Sequence, residues 1–136
     1  DKATIEKLYP AWVEAANAKD IETWTTFLAP DARFQPPNLP ALKTHEEIRN
    51  FYGAFFEDPR FALDCHQQQV EVAASGDIAW SRGSCDGSFT GQDGEAAYLK
   101  TKWLKVWQKQ PNGEWKNLVN MWNSDLPAPG PTGFRR

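Results

Sequence analysis

The sequence predicts an α+β domain, with three N-terminal helices packed on the concave face of a curved, mainly antiparallel sheet. Three observations carry that expectation. Apolar residues recur at helical spacing in segments that precede Pro59. Beyond Pro59 the chain turns to long strand-like runs, Phe61 to Ala73 and Ile78 to Phe89. It then reads Tyr98 to Trp107, a turn holding Asn112-Gly113, and Trp115 to Asp125; Asn-Gly between such runs is a strong hairpin signal. Helices first and strands after, within 136 residues, describe one layer of helices on one sheet.

The elements follow in order. Ile5, Leu8, Tyr9, Trp12, Val13 and Ala16 place a first helix from Lys2 to about Ala18. Pro10 falls inside it, so the helix is either kinked there or regular only from about Tyr9. Asp20 is an N-cap for a short second helix with Ile21, Trp24, Phe27 and Leu28 on one face. A loop carrying Pro30, Pro36, Pro37 and Pro40 leaves room for one short strand from Ala32 to Gln35. Thr44-His45-Glu46-Glu47 is a capping box, continued by Ile48, Phe51, Tyr52 and Phe55 as an amphipathic third helix. Ala74-Ser75-Gly76-Asp77 joins the first two long strands as a tight hairpin. Gly91 to Gly94 makes the next loop, and the tryptophan hairpin completes an antiparallel meander. Residues 127–136, rich in proline and glycine, read as a flexible extension, leaving 1–126 as a single domain.

Bulk properties exclude several function classes. A net charge of −3 and a pI near 5.4 give no electrostatic reason to expect nucleic acid or an anionic membrane. No apolar run approaches the roughly eighteen residues of a membrane-spanning helix. Two histidines and two cysteines lack metal-ligand spacing, and no phosphate loop or dinucleotide fingerprint occurs, so any chemistry is expected to need no cofactor. The chain begins at Asp1 rather than a methionine, which a cleaved export signal and a shortened chain explain equally, so the compartment stays open.

Local phrases add a resemblance. Ala16-Asn17-Ala18-Lys19-Asp20, Phe27-Leu28-Ala29-Pro30-Asp31-Ala32, Ile48-Arg49-Asn50-Phe51-Tyr52, Ser75-Gly76-Asp77-Ile78-Ala79-Trp80 and Val106-Trp107 to Trp115-Lys116 recur here in family order. From about Ile5 to Asp125 the chain resembles the nuclear transport factor 2-like superfamily, in its SnoaL-like branch. The resemblance implies a cone-shaped α+β barrel with a pocket between the concave sheet face and the first and third helices. It implies little about activity, because the superfamily holds isomerases, dehydratases, cyclases, hydrolases and non-catalytic assembly domains. Members commonly pair through the outer sheet face, where Trp80, Arg82 and Glu71 would lie, so a homodimer is expected. Steroid-isomerase relatives carry pocket carboxylates at positions that fall near Pro36 and Trp103 here, and neither residue is acidic. The resemblance also points to Tyr9 and Trp12 on the first helix, Phe55 on the third, and Asn120 and Trp122 on the last strand as lining. A basic residue before the Val-Trp pair, here Lys105, points into the pocket of related domains.

Strand parity assigns the remaining candidates. With the first hairpin turning at Ser75-Gly76, Val72 stands opposite Ala79, Val70 opposite Ser81, Gln68 opposite Gly83 and His66 opposite Cys85. Val70 and Val72 make that the inner face. Ala79, Ser81, Gly83 and Cys85 then form a run of small side chains, leaving either a ligand cavity or room that Trp103, Trp122 and helix aromatics fill. The same register sends Cys65 to the other face from Cys85 and predicts two free thiols, although a slip of one residue would bring them together. His66 becomes the acid/base candidate, with Asp64 two residues away to hold its tautomer. A nucleophilic Cys85 beside that histidine lacks an identifiable oxyanion hole. Lys105 lies inward with Trp103 and Trp107, or outward while Leu104 and Val106 turn in; inward, it would hold a substrate oxygen. Gln68 and Ser81 complete the expected lining. The function expected is a cofactor-independent isomerase, dehydratase, cyclase or lyase for a small, largely apolar, aromatic or cyclic molecule. The alternative is a non-catalytic ligand-binding or assembly domain.

Overall fold

A computed structural model describes residues 1–127, so nearly all of the 127–136 extension lies outside the described residues. Eight elements occur in the order α1 (Lys2–Asn17), α2 (Ile21–Thr25), β1 (Leu28–Gln35), α3 (His45–Phe56), β2 (Ala62–Val72), β3 (Ile78–Thr90), β4 (Ala96–Lys109) and β5 (Trp115–Ser124). The helices form where the sequence supplies caps. Asp20 accepts the Thr23 amide at 3.1 Å, and Thr44 Oγ1 accepts the Glu47 amide at 3.1 Å. Glu47 returns its carboxylate to the Lys43 amide, also at 3.1 Å, so the capping box closes one residue early. α1 runs through Pro10 rather than starting beside it, with the ring exposed on the solvent side.

The five strands form one sheet in the order β1-β5-β4-β3-β2, antiparallel except for β1, which lies parallel to β5. β1 starts earlier than the sequence suggests and extends the meander by one strand. The sheet is not closed: β1 and β2 are its two edges, which corrects the barrel expectation to a curved open sheet with the helices over its inner face. Aromatic rings from α1, α2, α3 and β1 make the junction between the two layers. Trp24 sits at its centre with no exposed surface, its ring 4.5 Å from Tyr52 and 5.2 Å from Trp12.

The β2–β3 register holds from the turn as expected, with Val72 opposite Ala79 and Val70 opposite Ser81. It then shifts between Gln67 and Gln69, a bulge that adds one residue to β2. Beyond the bulge every β2 side chain has changed face. Cys65 stands opposite Cys85, and the two form a disulfide, overturning the expectation of free thiols. Closing a loop with a sequence separation of 20 contributes about 3 kcal/mol through the unfolded chain. A second shift, which skips Leu118, keeps both Asn117 and Asn120 buried under the helices.

The opposite face of the sheet exposes Ile78, Trp80, Leu104 and Met121. Arg82 and Glu71 are exposed beside them, on the face the sequence reading assigned to pairing of two copies.

Candidate functional site

A cavity of about 250 Å³ lies between the sheet and the helices. α1 contributes Tyr9, Trp12, Val13 and Ala16, spaced as one helical face. α3 contributes Phe51, Tyr52 and Phe55, and the loop after β1 brings Pro36, Pro37 and Leu39. From the sheet come Leu99, Thr101, Trp103, Lys105, Asn120 and Trp122, with the disulfide as part of the wall.

The small residues of β3 do not make this space. Gly83 and Ser81 instead accommodate the large side chains of β4. A Cβ on Gly83 would lie 2.6 Å from Cζ2 of Trp103, and Ser81 Oγ accepts the Trp107 indole N–H at 2.9 Å. Ser81 is fully buried and spent on that bond, so it is absent from the lining. The hollow lies further along, beside Cys85 and Thr101.

The bulge removes the residue expected to act as acid/base. His66 projects from the outer side, its side chain 67% exposed, and meets Asp64 at 3.2 Å in solvent. The His–Asp pair therefore forms as the spacing suggested, but away from the cavity. Gln68, at the bulge, is also exposed, its amide 3.5 Å from Ser84 Oγ. A pairing of Cys85 with His66 as nucleophile and base is ruled out by the disulfide. His45 stays on the surface, its Nε2 at 2.7 Å from the Ala29 carbonyl oxygen.

Of the other expected lining residues, Tyr9, Trp12, Phe55, Cys85, Trp103, Asn120 and Trp122 all reach the cavity. Lys105 takes the inward parity with Trp103 and Trp107. It is 2% exposed, and among the described residues it has neither an ion-pair partner nor a hydrogen bond. Its Nζ lies 4.0 Å from the Trp12 ring centre, 5.1 Å from that of Trp103 and 5.6 Å from that of Tyr9. Burial without a counter-charge pushes the Lys105 ammonium well below the usual lysine range. The aromatic faces offset part of that penalty, since a cation over a desolvated ring gains about 2 kcal/mol.

Sequence reasoning missed Tyr52 as a site residue, taking it as part of the helix pattern only. It is buried with its ring edge-on to Phe34 at 5.6 Å. Burial pushes the pKa of both phenols up, with the nearby Tyr9 adding to the effect on Tyr52. Both hydroxyls stay protonated at any ordinary pH and can donate. Asn120 stands opposite Lys105 on the neighbouring strand, and its buried Oδ1 has no partner. The site therefore combines one amine, two phenols and one amide within aromatic walls. The lining holds no aspartate, glutamate or histidine among the described residues.

The burial of Lys105 has a measurable consequence. Between its lowered native value and the ordinary 10.5, the unfolded chain binds one more proton than the native one, so wild-type stability rises with pH there. Lys105→Met removes that term. The variant is expected to be more stable than wild type near neutral pH by about 2 kcal/mol, as when other buried charges yield to apolar side chains. The difference should shrink steadily as pH approaches 10.5. Urea unfolding of both proteins at several pH values checks this; a variant less stable at neutral pH would show that the amine is held charged by favourable contacts.

Comparison with known proteins agrees with this architecture. A model of the SnoaL-like domain family matches residues 10–117. A ketosteroid isomerase-like protein from Erwinia carotovora atroseptica superposes with a TM-score of 0.80 at 24% identity, covering 93% of this chain and 97% of that one. An NTF2-like protein with a cystatin-like fold from Novosphingobium aromaticivorans gives 0.71 at 15% identity, over 95% and 84%. ActVI-ORFA from Streptomyces coelicolor gives 0.71 at 17% identity, over 90% and 96%. At these identities the solved structures speak to the fold alone. No curated protein sequence matches the chain. The family match over most of the length, on a sheet and helix layer of the same architecture, places this chain in the SnoaL-like domain family, whose members include isomerases, dehydratases and cyclases.

Proposed function

We propose that this protein is a cofactor-independent enzyme that moves a proton next to the carbonyl group of a small aromatic or cyclic molecule. The observation that carries the reading is the solitary amine of Lys105 at the wall of an aromatic-lined cavity. A chamber of apolar walls with a few convergent polar groups is the usual form of a small-molecule site. Lys105 takes the role expected of His66. Burial favours its uncharged amine, the form that can accept a proton, and the phenols of Tyr9 and Tyr52 donate to the oxygen on which charge develops. Trp12, Trp103, Phe51 and Trp122 supply flat surfaces against which a ring can stack.

The rival reading is a non-catalytic binding domain, and one observation favours it: among the described residues the cavity wall offers no carboxylate or imidazole to shuttle protons. 1-Tetralone in deuterated buffer separates the two. Binding is read by quenching of tryptophan fluorescence, and α-deuteration by proton NMR. The expected result is exchange accelerated by about 100-fold or more over buffer, lost in Lys105→Met. Binding without exchange would favour the non-catalytic reading, and no binding would sink both.

A further inference from the structure

We propose that Lys105 acts as a covalent nucleophile, forming a Schiff base with an aldehyde or unhindered ketone that enters the cavity. This rests on the reading of the cavity as a small-molecule site and replaces the amine's part as proton acceptor there with a covalent one. Three features of the geometry carry it. The nitrogen belongs to a side chain that lines the cavity, yet no protein acceptor or carboxylate occupies it. Other lysines are partnered: Lys102 Nζ donates to the Asp125 carboxylate at 2.5 Å, and Lys19 Nζ to the backbone oxygens of Asp58 and Phe61 at 2.8 Å. Lys105 has neither arrangement.

The second feature is the ring cage. The rings of Trp12, Trp103 and Tyr9 stand 4.0, 5.1 and 5.6 Å from the amine, and all three line the same cavity as Lys105. The third is the balance of charge. A carboxylate ligand would bring a desolvated ion into apolar surroundings, which is costly. A carbonyl compound enters neutral, and burial of the amine favours its uncharged form, the activated form of a lysine nucleophile.

The chemistry closes on itself. The Lys105 nitrogen bonds to the carbonyl carbon while the π pair moves to oxygen, which takes up the proton the nitrogen loses. The carbinolamine hydroxyl then leaves as water, with a phenol of Tyr9 or Tyr52 donating the proton and recovering it from the iminium nitrogen. The net change is amine plus carbonyl to imine plus one water. Reprotonated to the iminium by that phenol, the adduct withdraws electrons from the adjacent C–H bond, whose proton passes to the phenolate so formed and leaves an enamine. After reprotonation, water adds back to the imine carbon, the C–N bond breaks and Lys105 is restored.

The test incubates the full chain with 2-naphthaldehyde at pH 7, reduces with sodium cyanoborohydride and locates the adduct by intact-mass and peptide-mass analysis. The expected result is a single adduct on Lys105, forming at least ten times faster than labelling of any surface lysine or of the Asp1 amine. It should be absent in both Lys105→Arg and Lys105→Met, so that a folding failure of one variant does not decide the matter. 2-Naphthalenemethanol, which cannot form an imine, reports on the cavity separately through fluorescence quenching. If the alcohol binds but Lys105 takes no label, the covalent role is overturned while the small-molecule site stands. If the alcohol does not bind either, both fail. Labelling confined to surface amines also overturns the proposal.

Discussion

Trp24→Ala is expected to cost about 4 kcal/mol, the upper part of the range for truncating a buried aromatic residue. Trp24 is 0% exposed and touches rings from three other elements: Trp12 at 5.2 Å, Phe34 at 5.8 Å, Tyr52 at 4.5 Å and Phe56 at 5.8 Å. It is also the one buried residue of α2, a helix of five residues otherwise held by partly buried Ile21 and by the Glu22–Arg49 ion pair. Removing the indole therefore loosens α2 and opens the junction between α1, α3 and β1. A loss of that size is a large share of the 5–15 kcal/mol that holds a typical domain. The buried Nε1 of Trp24 has no partner, so Trp24→Phe sacrifices no hydrogen bond and should cost only about 1–2 kcal/mol. Urea unfolding of both variants reads the contrast. Equal losses would mean that the indole's shape, rather than aromatic burial, is what the junction requires.

Gly83→Ala should destabilise by about 3 kcal/mol, at the high end for overpacking, because the clash is with main chain. A Cβ there would stand 1.9 Å from the His66 carbonyl oxygen and 2.6 Å from Cζ2 of Trp103. The indole can turn aside, but the carbonyl belongs to the strand beside the bulge and moves only if β2 moves. The register beyond Gln67 would then be strained, together with the Cys65–Cys85 pairing it produces. Thermal and urea unfolding measure the loss. A cost below about 1 kcal/mol would show that the bulge yields freely and that its position is not fixed by Gly83.

That bulge explains most of what strand reading could not deliver. The hairpin turn was legible, because Gly76 takes φ 74° and the Val70 and Val72 pairs follow from it. Period-two alternation then carries parity down the strand only while nothing is inserted. Gln67, Gln68 and Gln69 offer no apolar contrast by which an inserted residue could be noticed. One extra residue reversed the faces of His66 and Cys65 together. The glycine opposite, Gly83, and the presence of two cysteines were the available signals, and a mid-strand slip reconciles them.

Lys105 shows the complementary case. Sequence alternation left its face undecided, since Leu104 and Val106 could equally have turned inward. The structure places Leu104 outward at 46% exposure and the lysine inward, against simple hydrophobic sorting. The two tryptophans on the same parity outweigh the leucine: they bury far more apolar area, and Ser81 and Gly83 provide the space for them. The amine is carried inward with its neighbours.

By itself the sequence determined the helices, their caps, the turns and the family resemblance, because these depend on residues a few positions apart. It also named most of the cavity wall, from Tyr9 and Trp12 to Asn120 and Trp122. Only the tertiary structure decided which strand edges meet, that β1 lies parallel to β5 at the far end of the chain, and that Lys105 rather than His66 reaches the cavity. The reason is physical: facing and pairing are set by packing between distant segments, and one bulged residue inverts what local alternation predicts.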